Sequence, residues 1–253
     1  MKRTVLVTGT TSGFGKAIAT RFAKDGDDLI ITGRREELLT ELSSELRKEF
    51  KVEVLSLCFD VRNKEEVEFA VSSLPDEWKE IDVLVNNAGL AVGLNPINDG
   101  VIDDWERMLD TNVKGLLYMT RFVSPLMVKR MKGHIINIGS IAGKEVYPNG
   151  NVYCGSKFAV DAITKGTRID LLPFNIKVTQ VAPGAANTEF SVVRFKGDQK
   201  RADSVYNGFT PLKAEDVADA VWYVASLPAH VNINDLVIMP TAQGSSMHFH
   251  KKL

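Results

Sequence analysis

The sequence predicts an α/β fold in which a doubly wound parallel sheet of seven strands carries helices on both faces. Short apolar runs alternate with helical patterns along the whole chain, as they do in repeated βα units. A glycine-rich turn stands between the first apolar run and the first helical pattern, which is typical of a nucleotide-binding sheet. With 253 residues, the chain is long enough for a single domain, which we place at residues 1–253.

The predicted strands are mostly apolar and often β-branched, with few polar breaks, so we expect them to be covered on both faces. They lie at residues 3–8, 28–32, 52–58, 81–87, 133–139, 176–182 and 235–239. Helical patterns separate them at about residues 13–25, 35–49, 63–74, 103–131, 151–172 and 214–226. The least regular segment, residues 185–213, follows the end of the sixth strand, where such sheets bind ligands. We therefore expect a substrate lid at 185–213 and a surface tail at 244–253.

The composition excludes several classes of partner. The net charge is −1, which gives no basic surface for nucleic acid or an anionic membrane, and no apolar run is long enough to span a bilayer. Cys58 and Cys154 form no CxxC pair and are expected to be free thiols of a cytoplasmic protein. His248 and His250 are too few to hold a metal ion, so we expect no metal site.

The turn after the first strand reads TGTTSGFG and spans residues 8–15, with the spacing GxxxGxG rather than GxGxxG. Glycines allow a backbone to approach a pyrophosphate, and the helix that follows supplies amide donors and the positive end of its dipole. Many glycine-rich turns are only turns, but the position between strand and helix favours a dinucleotide site. The candidate residues are Gly9, Thr11, Ser12, Gly13, Phe14 and Gly15.

Two arginines indicate which dinucleotide binds. Arg34 and Arg35 end the second strand, where an acidic residue would bind the ribose of NAD and an arginine would suit the 2′-phosphate of NADP. The alternative is a pair of solvated arginines, with two glutamates following to neutralise them. The third strand ends in Asp60 and Val61, also candidate cofactor contacts. Asp60 is either the N-cap of the next helix or an acceptor for the adenine amino group, and the two roles are compatible.

Tyr153 and Lys157 stand four residues apart at the start of a predicted helix and so lie on one face. A tyrosine has a pKa near 10, and an adjacent ammonium would lower it toward the range of an acid or base. By itself this spacing is more often an ordinary surface pair. Ser140 strengthens the catalytic interpretation, because it follows the fifth strand at the expected edge, although it could simply cap a turn. Asn112 lies inside a predicted helix, either as a functional residue or as an exposed polar one.

Taken together, these motifs resemble the classical short-chain dehydrogenase/reductase family over nearly the whole chain. The TGTTSGFG loop, NNAG at 86–89, YxxxK at 153–157 and PG at 183–184 follow one another in the order of that family. The resemblance implies a Rossmann-type fold and hydride transfer with a nicotinamide cofactor. It implies a catalytic tetrad of Asn112, Ser140, Tyr153 and Lys157, with Tyr153 as the acid/base. It implies further cofactor contacts at Asn87, Ala88, Gly89, Tyr153, Lys157, Pro183, Gly184 and Thr188.

The resemblance also assigns individual roles within this set. Asn112 is expected to kink its helix and hold a water molecule that relays a proton to Lys157. Asn87 is expected against the adenosine ribose, and Thr188 against the nicotinamide carboxamide. A cofactor-sensing protein without activity would be expected to lack part of the tetrad, and all four residue types are present here.

A closer resemblance, to NADP-dependent 3-hydroxy acid dehydrogenases, appears in GLAVGLNP (89–96), TEFSVVRFKGD (188–198) and LPAHVNINDLVIMPTAQ (227–243). This subgroup includes serine 3-dehydrogenases and L-allo-threonine dehydrogenases. The resemblance implies NADP, small substrates such as L-serine, L-allo-threonine, 3-hydroxypropionate or 3-hydroxyisobutyrate, and a homotetramer in which helices 103–131 and 151–172 pair. Some members have an extra glycine before TEFS, whereas this chain reads PGAANTEFS. The alternative is an NADPH-dependent reductase of other carbonyls with broad specificity.

A 3-hydroxy acid carries a carboxylate, which arginine binds with two parallel hydrogen bonds. Arg194 is a basic residue within the expected lid, and we predict that it pairs with this carboxylate while Ser140 and Tyr153 contact the reacting oxygen. The alternative is a solvated loop charge, which is common in such segments.

Overall fold

The computed structural model describes residues 2–252; Met1 and Leu253, the ends of the expected domain and its tail, lie outside the described residues. Within them, seven parallel strands form one sheet in the order β3-β2-β1-β4-β5-β6-β7. The strands are β1 (Thr4–Thr8), β2 (Asp28–Gly33), β3 (Val54–Cys58), β4 (Val83–Asn86), β5 (Gly133–Ile138), β6 (Ile176–Pro183) and β7 (Asp235–Ile238). The strand order reverses between β1 and β4, which opens a crevice at their carboxyl ends. The predicted fold class is confirmed.

Helices cover both faces of the sheet, because side chains of successive strand residues point to opposite faces and both sets are apolar. The helices are α1 (Gly13–Lys24), α2 (Glu36–Phe50), α3 (Lys64–Ser72), α4 (Ile102–Leu109), α5 (Leu116–Arg130), α6 (Asn151–Leu171), α7 (Glu189–Arg194), α8 (Gln199–Ser204) and α9 (Ala214–Ser226). In β1, Val5 and Val7 belong to one buried cluster with residues of α1, α2 and α9, and Leu6 belongs to a second cluster with residues of α3 and α5.

The helix predicted at 103–131 is interrupted. Between α4 and α5 the backbone forms a π-helical turn at Asp110–Gly115, in which one residue more than an α-helical turn is accommodated. Asn112 lies in this turn and is buried, so it is not an exposed polar residue. The π-helical turn directs the side chain of Asn112 toward the backbone that follows β4.

The segment 185–213, expected to be irregular, contains two short helices. Each begins at a residue whose side chain accepts a hydrogen bond from an early backbone N–H of the helix: Thr188 from Phe190 at 3.2 Å, and Asp198 from Arg201 at 3.0 Å. These caps stabilise two helices that are too short to show a long apolar repeat in the sequence. None of the helices in residues 2–252 is both long and apolar enough to cross a membrane.

Candidate active site

A cavity of about 360 Å³ lies at the carboxyl ends of the central strands, beside the point where the strand order reverses. Most of the residues predicted from the sequence line it, although they come from distant parts of the chain. The predicted residues in its lining are Gly9, Thr11, Ser12, Gly13, Phe14, Arg34, Arg35, Asp60, Val61, Asn87, Ala88, Gly89, Tyr153, Lys157 and Thr188. The other predicted residues, Gly15, Asn112, Ser140, Pro183, Gly184 and Arg194, stand behind or beside this lining.

The glycine-rich loop forms a cradle that larger residues would fill. Gly9 and Gly13 have φ angles of +71° and +53°, in the left-handed region that favours glycine. A Cβ atom on Gly15 would lie 2.1 Å from the carbonyl oxygen of Gly9. Ser12 begins α1 without capping it through its side chain, so the first N–H groups of α1 are left for a ligand. This cradle fits the pyrophosphate of a dinucleotide.

Asn87 ties the end of β4 to this loop. Its side-chain Nδ2 donates hydrogen bonds to the carbonyl oxygens of Thr8 at 2.8 Å and Gly9 at 3.2 Å. In return, the Thr8 hydroxyl accepts from the backbone N–H groups of Asn87 at 3.0 Å and Ala88 at 2.9 Å. The amide of Asn87 therefore shapes the cradle, while the residue still lines the cavity. Its expected contact with a ribose stays a prediction.

The two arginines after β2 stand at one end of the cavity with few strong partners. Arg35 donates from Nη2 and Nε to the hydroxyl of Thr11, at 2.8 and 3.1 Å, and its Nη2 lies 3.8 Å from a carboxylate oxygen of Glu189. Nη1 of Arg34 lies 3.8 Å from a carboxylate oxygen of Asp60. About half of each guanidinium side chain is exposed, so donors remain for an added anionic group. The arrangement fits a phosphate on the ribose of a bound dinucleotide.

Asp60 is held by Arg62 and does not cap α3. Arg62 donates to the Asp60 carboxylate from its backbone N–H, its Nε and its Nη2, the last at 2.6 Å. Burial alone would raise the pKa of Asp60, but the hydrogen bonds from Arg62 and the charge of Arg34 hold that pKa below its ordinary value. The N-cap of α3 is Asn63, whose side chain accepts from the first turn, so the expected capping role of Asp60 is wrong. An ionised Asp60 can still accept a hydrogen bond at the cavity wall.

Tyr153 and Lys157 lie on one face of α6, and both side chains are buried. Nζ of Lys157 donates to the carbonyl oxygen of Ile138 at 2.9 Å, and burial lowers the pKa of Lys157 to about 8. Burial also raises the pKa of Tyr153, and the charge of Arg194 and the hydroxyl of Ser140 only partly oppose this. The expectation that Lys157 lowers the pKa of Tyr153 is therefore not met: the groups that act in that direction are Arg194 and Ser140.

The Asn112 side chain joins three parts of the site. Its Oδ1 accepts from the backbone N–H of Leu90, and its Nδ2 donates to the carbonyl oxygen of Leu90, both at 2.8 Å. Nδ2 also donates to the Ser156 hydroxyl at 3.0 Å, which in turn donates to the carbonyl oxygen of Tyr153 at 2.7 Å. The amide therefore fixes the segment after β4 against α6. Its expected role in holding a water molecule stays a prediction.

Ser140 stands at the carboxyl end of β5. Its hydroxyl accepts from the backbone N–H of Ala142 at 3.1 Å, which caps a short 3₁₀ turn, and lies 3.5 Å from the carbonyl oxygen of Pro183. The hydroxyl is also close enough to Tyr153 to lower the pKa of that phenol. Ser140 thus caps a turn and also interacts with Tyr153.

Pro183 ends β6, and Gly184 follows it at the start of the connection to the segment 185–213. The N–H of Gly184 donates to the carbonyl oxygen of Ile238 at 2.8 Å, and a Cβ atom on Gly184 would lie 2.5 Å from Oε1 of Gln243. Thr188 reaches the cradle, since its own Cβ lies 3.5 Å from the place that a Cβ on Gly13 would take. The segment that begins after Gly184 is thereby brought over the cavity.

Arg194 lies among aromatic rings next to Tyr153. Its Nη2 donates to the hydroxyl of Tyr147 at 2.6 Å, and its guanidinium carbon lies 5.0 Å from the ring centre of Tyr153, 5.2 Å from that of Phe190 and 5.7 Å from that of Tyr147. Its Nε is buried and finds no hydrogen-bond partner among residues 2–252. Burial raises the pKa of Tyr147, so this phenol stays neutral and able to donate. Arg194 is therefore not a solvated loop charge.

Sequence reasoning missed several residues of the site. Tyr147 and Phe190 complete the aromatic surroundings of Arg194, and Leu90, Arg107 and Thr111 line the cavity. The sequence hints at Tyr147 only because it is an aromatic residue in the loop just before α6. Nothing in the sequence points to the other missed residues. In the part of the chain that is described, no group of three or more His, Cys, Asp or Glu side chains is placed to hold a metal ion.

Comparison with known proteins gives consistent similarities. A family model described as short chain dehydrogenase matches residues 3–199. The chain is 51% identical over 248 residues to the NADP-dependent 3-hydroxy acid dehydrogenase of Salmonella typhi, covering 96% of this chain and 98% of that protein. It is 48% identical over 247 residues to sulfoacetaldehyde reductase 2 of Chromohalobacter salexigens, covering 97% of each. The closed form of a serine dehydrogenase complexed with NADP⁺ superimposes with a TM-score of 0.91 at 49% identity, covering 98% of this chain and 100% of that one.

Proposed function

The chain belongs to the short-chain dehydrogenase family, and on that basis we propose that it is an NADP-dependent oxidoreductase of small 3-hydroxy acids. The substrates proposed are of the L-serine, L-allo-threonine, 3-hydroxypropionate or 3-hydroxyisobutyrate type, oxidised at the 3-hydroxyl, or the matching 3-oxo acids in the reverse direction. Two relatives that cover nearly the whole chain support this class, a 3-hydroxy acid dehydrogenase and a serine dehydrogenase.

The choice of NADP is supported by the residues at the end of β2. Arg34 and Arg35 provide two permanent positive charges beside a cradle of suitable shape, where a carboxylate would repel a 2′-phosphate. The cradle formed by Gly9, Gly13 and Gly15 would hold the pyrophosphate against the N-terminus of α1. When bound, NADP supplies the hydride acceptor, and that chemistry belongs to the cofactor.

The observation that carries the substrate class is the placement of Arg194 beside Tyr153. Its buried Nε lacks a hydrogen-bond partner in the described part of the chain, and the hydroxyl of Tyr147 accepts from Arg194 and so keeps its own proton free to donate. A carboxylate would accept from both groups and satisfy the buried donor, which otherwise costs about 1–3 kcal/mol. We propose that a three-carbon hydroxy acid held by this pair presents its 3-hydroxyl to Tyr153 and Ser140, since the guanidinium carbon of Arg194 lies 5.0 Å from the ring centre of Tyr153.

The residues around the reacting oxygen are suited to move one proton. Tyr153 would donate its phenolic proton to a ketone oxygen during reduction, or remove the hydroxyl proton during oxidation, while Ser140 holds the same oxygen by a hydrogen bond. Lys157, with a pKa of about 8, carries a positive charge at neutral pH, while the groups that favour the phenolate of Tyr153 are Arg194 and Ser140. Burial of both side chains excludes water from the transfer.

A second candidate is an NADPH-dependent reductase of other carbonyls with broad specificity. One relative is a sulfoacetaldehyde reductase, and sulfoacetaldehyde carries a sulfonate in place of a carboxylate. The anion site at Arg194 and Tyr147 would accept either group, because both present oxygen acceptors to the same donors.

Three further properties belong to the same proposal. The segment 185–213 is proposed to be the substrate lid, since its helix α7 carries Arg194. A homotetramer is proposed because α5, α6 and their neighbours expose apolar side chains, namely Leu109, Leu117, Phe158, Ile169 and Leu172. A cytoplasmic location is proposed from the free thiols alone. Light scattering on the purified protein tests the tetramer.

The experiment that tests the function measures NADPH formation by absorbance with L-serine, L-allo-threonine, 3-hydroxypropionate, 3-hydroxyisobutyrate and a simple secondary alcohol, with NAD⁺ in parallel. We expect turnover of the acids with NADP⁺ and its loss in Tyr153→Phe. Arg194→Ala should raise KM for the acids roughly 10- to 100-fold, as expected when a hydrogen bond to a charged group is lost, and should leave KM for the alcohol unchanged. Arg201→Ala, which changes another arginine of the segment, is the control. Equal losses on acids and alcohol would refute the carboxylate site.

A further inference from the structure

The end of α7 is attached to the rest of the site by two contacts that the reaction itself does not use. The backbone N–H of Gly93 donates to the carbonyl oxygen of Arg194 at 3.0 Å. Two residues further on, Nζ of Lys196 lies 2.7 Å from Oδ2 of Asp104. Together these contacts join the segment after β4, the first turn of α4 and the segment 185–213.

Asp104 is placed as an anchor rather than as a surface charge. Only 7% of its side chain is exposed, and a Cβ atom on Gly93 would lie 2.9 Å from its Oδ2, so the carboxylate is packed against the backbone of Gly93. Its position in the first turn of α4 favours a negative charge. A buried carboxylate needs a cationic partner, and Lys196 provides it from the opposite side of the site.

The backbone around Lys196 is shaped to reach Asp104. Lys196 has a φ of +54°, in the left-handed region that residues with a side chain rarely adopt, and Gly197 follows at +94°. This turn ends α7 immediately after Arg194 and directs Lys196 back toward α4. Lys196 therefore combines an unfavourable backbone conformation with an ion pair to the buried Asp104.

We propose that Asp104 is a positioning residue: by pairing with Lys196, it holds the end of α7 in place and so fixes the guanidinium of Arg194 between Tyr147 and Tyr153. The proposal rests on the proposed function, because it assigns the consequence of this pair to binding of the substrate carboxylate. A misplacement of about 1 Å in an active site can cost about 100-fold in rate, and because the hydrogen bond from Gly93 still holds the end of α7, we expect loss of the ion pair to cost less, about 10-fold.

The test compares Asp104→Asn, Lys196→Met and the double variant with Lys196→Arg, which keeps the charge, and with Lys200→Met, which removes an exposed charge from α8. We expect each of the first two to raise KM for L-serine about 10-fold, with the affinity for NADPH and KM for the simple alcohol unchanged. The double variant should be no worse than the more affected single variant, because one interaction is lost in all three. Lys196→Arg and Lys200→Met should behave as wild type.

A second readout does not depend on turnover. Chymotrypsin cuts after aromatic residues, which the segment 185–213 contains at Phe190, Phe195, Tyr206 and Phe209. Cleavage there should be faster in Asp104→Asn and Lys196→Met than in wild type or Lys200→Met. The Tm should be unchanged in Asp104→Asn and lower in Lys196→Met, which leaves the buried carboxylate unpaired. Unchanged cleavage would overturn the proposal, and so would a fall in both the NADPH affinity and the Tm of Asp104→Asn. If wild type turns over no acid, the proposed function fails, while faster cleavage would still support the anchoring by Asp104.

Discussion

His134 should make the stability of this protein depend on pH, and the structure sets the size of the effect. It lies in β5 with 3% of its surface exposed, and its Nε2 is 2.8 Å from the Thr179 hydroxyl. Its Nδ1 is buried and has no hydrogen-bond partner within residues 2–252. Burial lowers the pKa of His134 to about 3, and the positive charges of Lys177 and Arg3 act in the same direction.

The sign follows from which state binds the proton. In the unfolded chain His134 titrates near pH 6.5, whereas in the folded protein it stays neutral down to about pH 3. Its contribution is therefore fully present above about pH 6.5 and is lost as the pH falls from there toward 3. The loss is about 1.4 kcal/mol per pH unit, or about 2 kcal/mol between pH 6.5 and pH 5.

Urea unfolding at fixed protein concentration, from about pH 5 to pH 8, measures this loss. Buried carboxylates also lose stabilisation in acid, so the informative quantity is the difference in the free energy of unfolding between wild type and His134→Gln. The glutamine can keep a hydrogen bond to Thr179. We expect that difference to change by about 2 kcal/mol across the window, and His230→Gln, at an exposed histidine, to follow wild type. Parallel pH dependence of wild type and His134→Gln would refute the reasoning.

Three further outcomes follow from the site. Gly15→Ala should weaken NADPH binding at least about 100-fold in a fluorescence titration, because its Cβ would lie 2.1 Å from the Gly9 carbonyl oxygen, whereas Gly166→Ala, with open space, should not. Asn112→Ala should lower the free energy of unfolding by about 2–4 kcal/mol in urea, since it leaves buried backbone groups unpaired; a loss below about 1 kcal/mol would contradict this. Burial raises the pKa of Tyr153, so kcat/KM for oxidation should rise with pH above neutrality while reduction falls; a flat oxidation profile would speak against Tyr153 as the base.

The sheet could be predicted from the sequence because its signals are local. Each strand is a short apolar run, and a strand such as β1 buries residues on both faces, so no alternation is needed to place it. The cradle was equally accessible, since Gly9, Gly13 and Gly15 are adjacent in the chain and their positions relative to β1 and α1 follow from the order of elements.

The remainder depended on contacts between distant segments. The interaction of Tyr147 with Arg194 joins residues 47 positions apart, and nothing near either residue indicates it. Asp60 was one possible N-cap of α3, but Asn63 is an equally good N-cap residue and caps the helix, while Asp60 accepts hydrogen bonds from Arg62. The direction of the pKa shift of Tyr153 depends on its burial, which spacing on a helix does not reveal.

The separation of α7 from the sheet has an evolutionary consequence. The groups that move the proton stand just after β5 and on α6, whereas the group proposed to select the acid stands on a helix of only six residues that is not part of the two hydrophobic clusters on the faces of the sheet. Selection for a new acid can therefore act on Glu189–Arg194 and its anchor while the packing of the sheet stays unchanged. Descendants of one ancestral enzyme can acquire different metabolic roles by exchanging a few residues there, and gene duplication would be enough to keep both the old and the new activity.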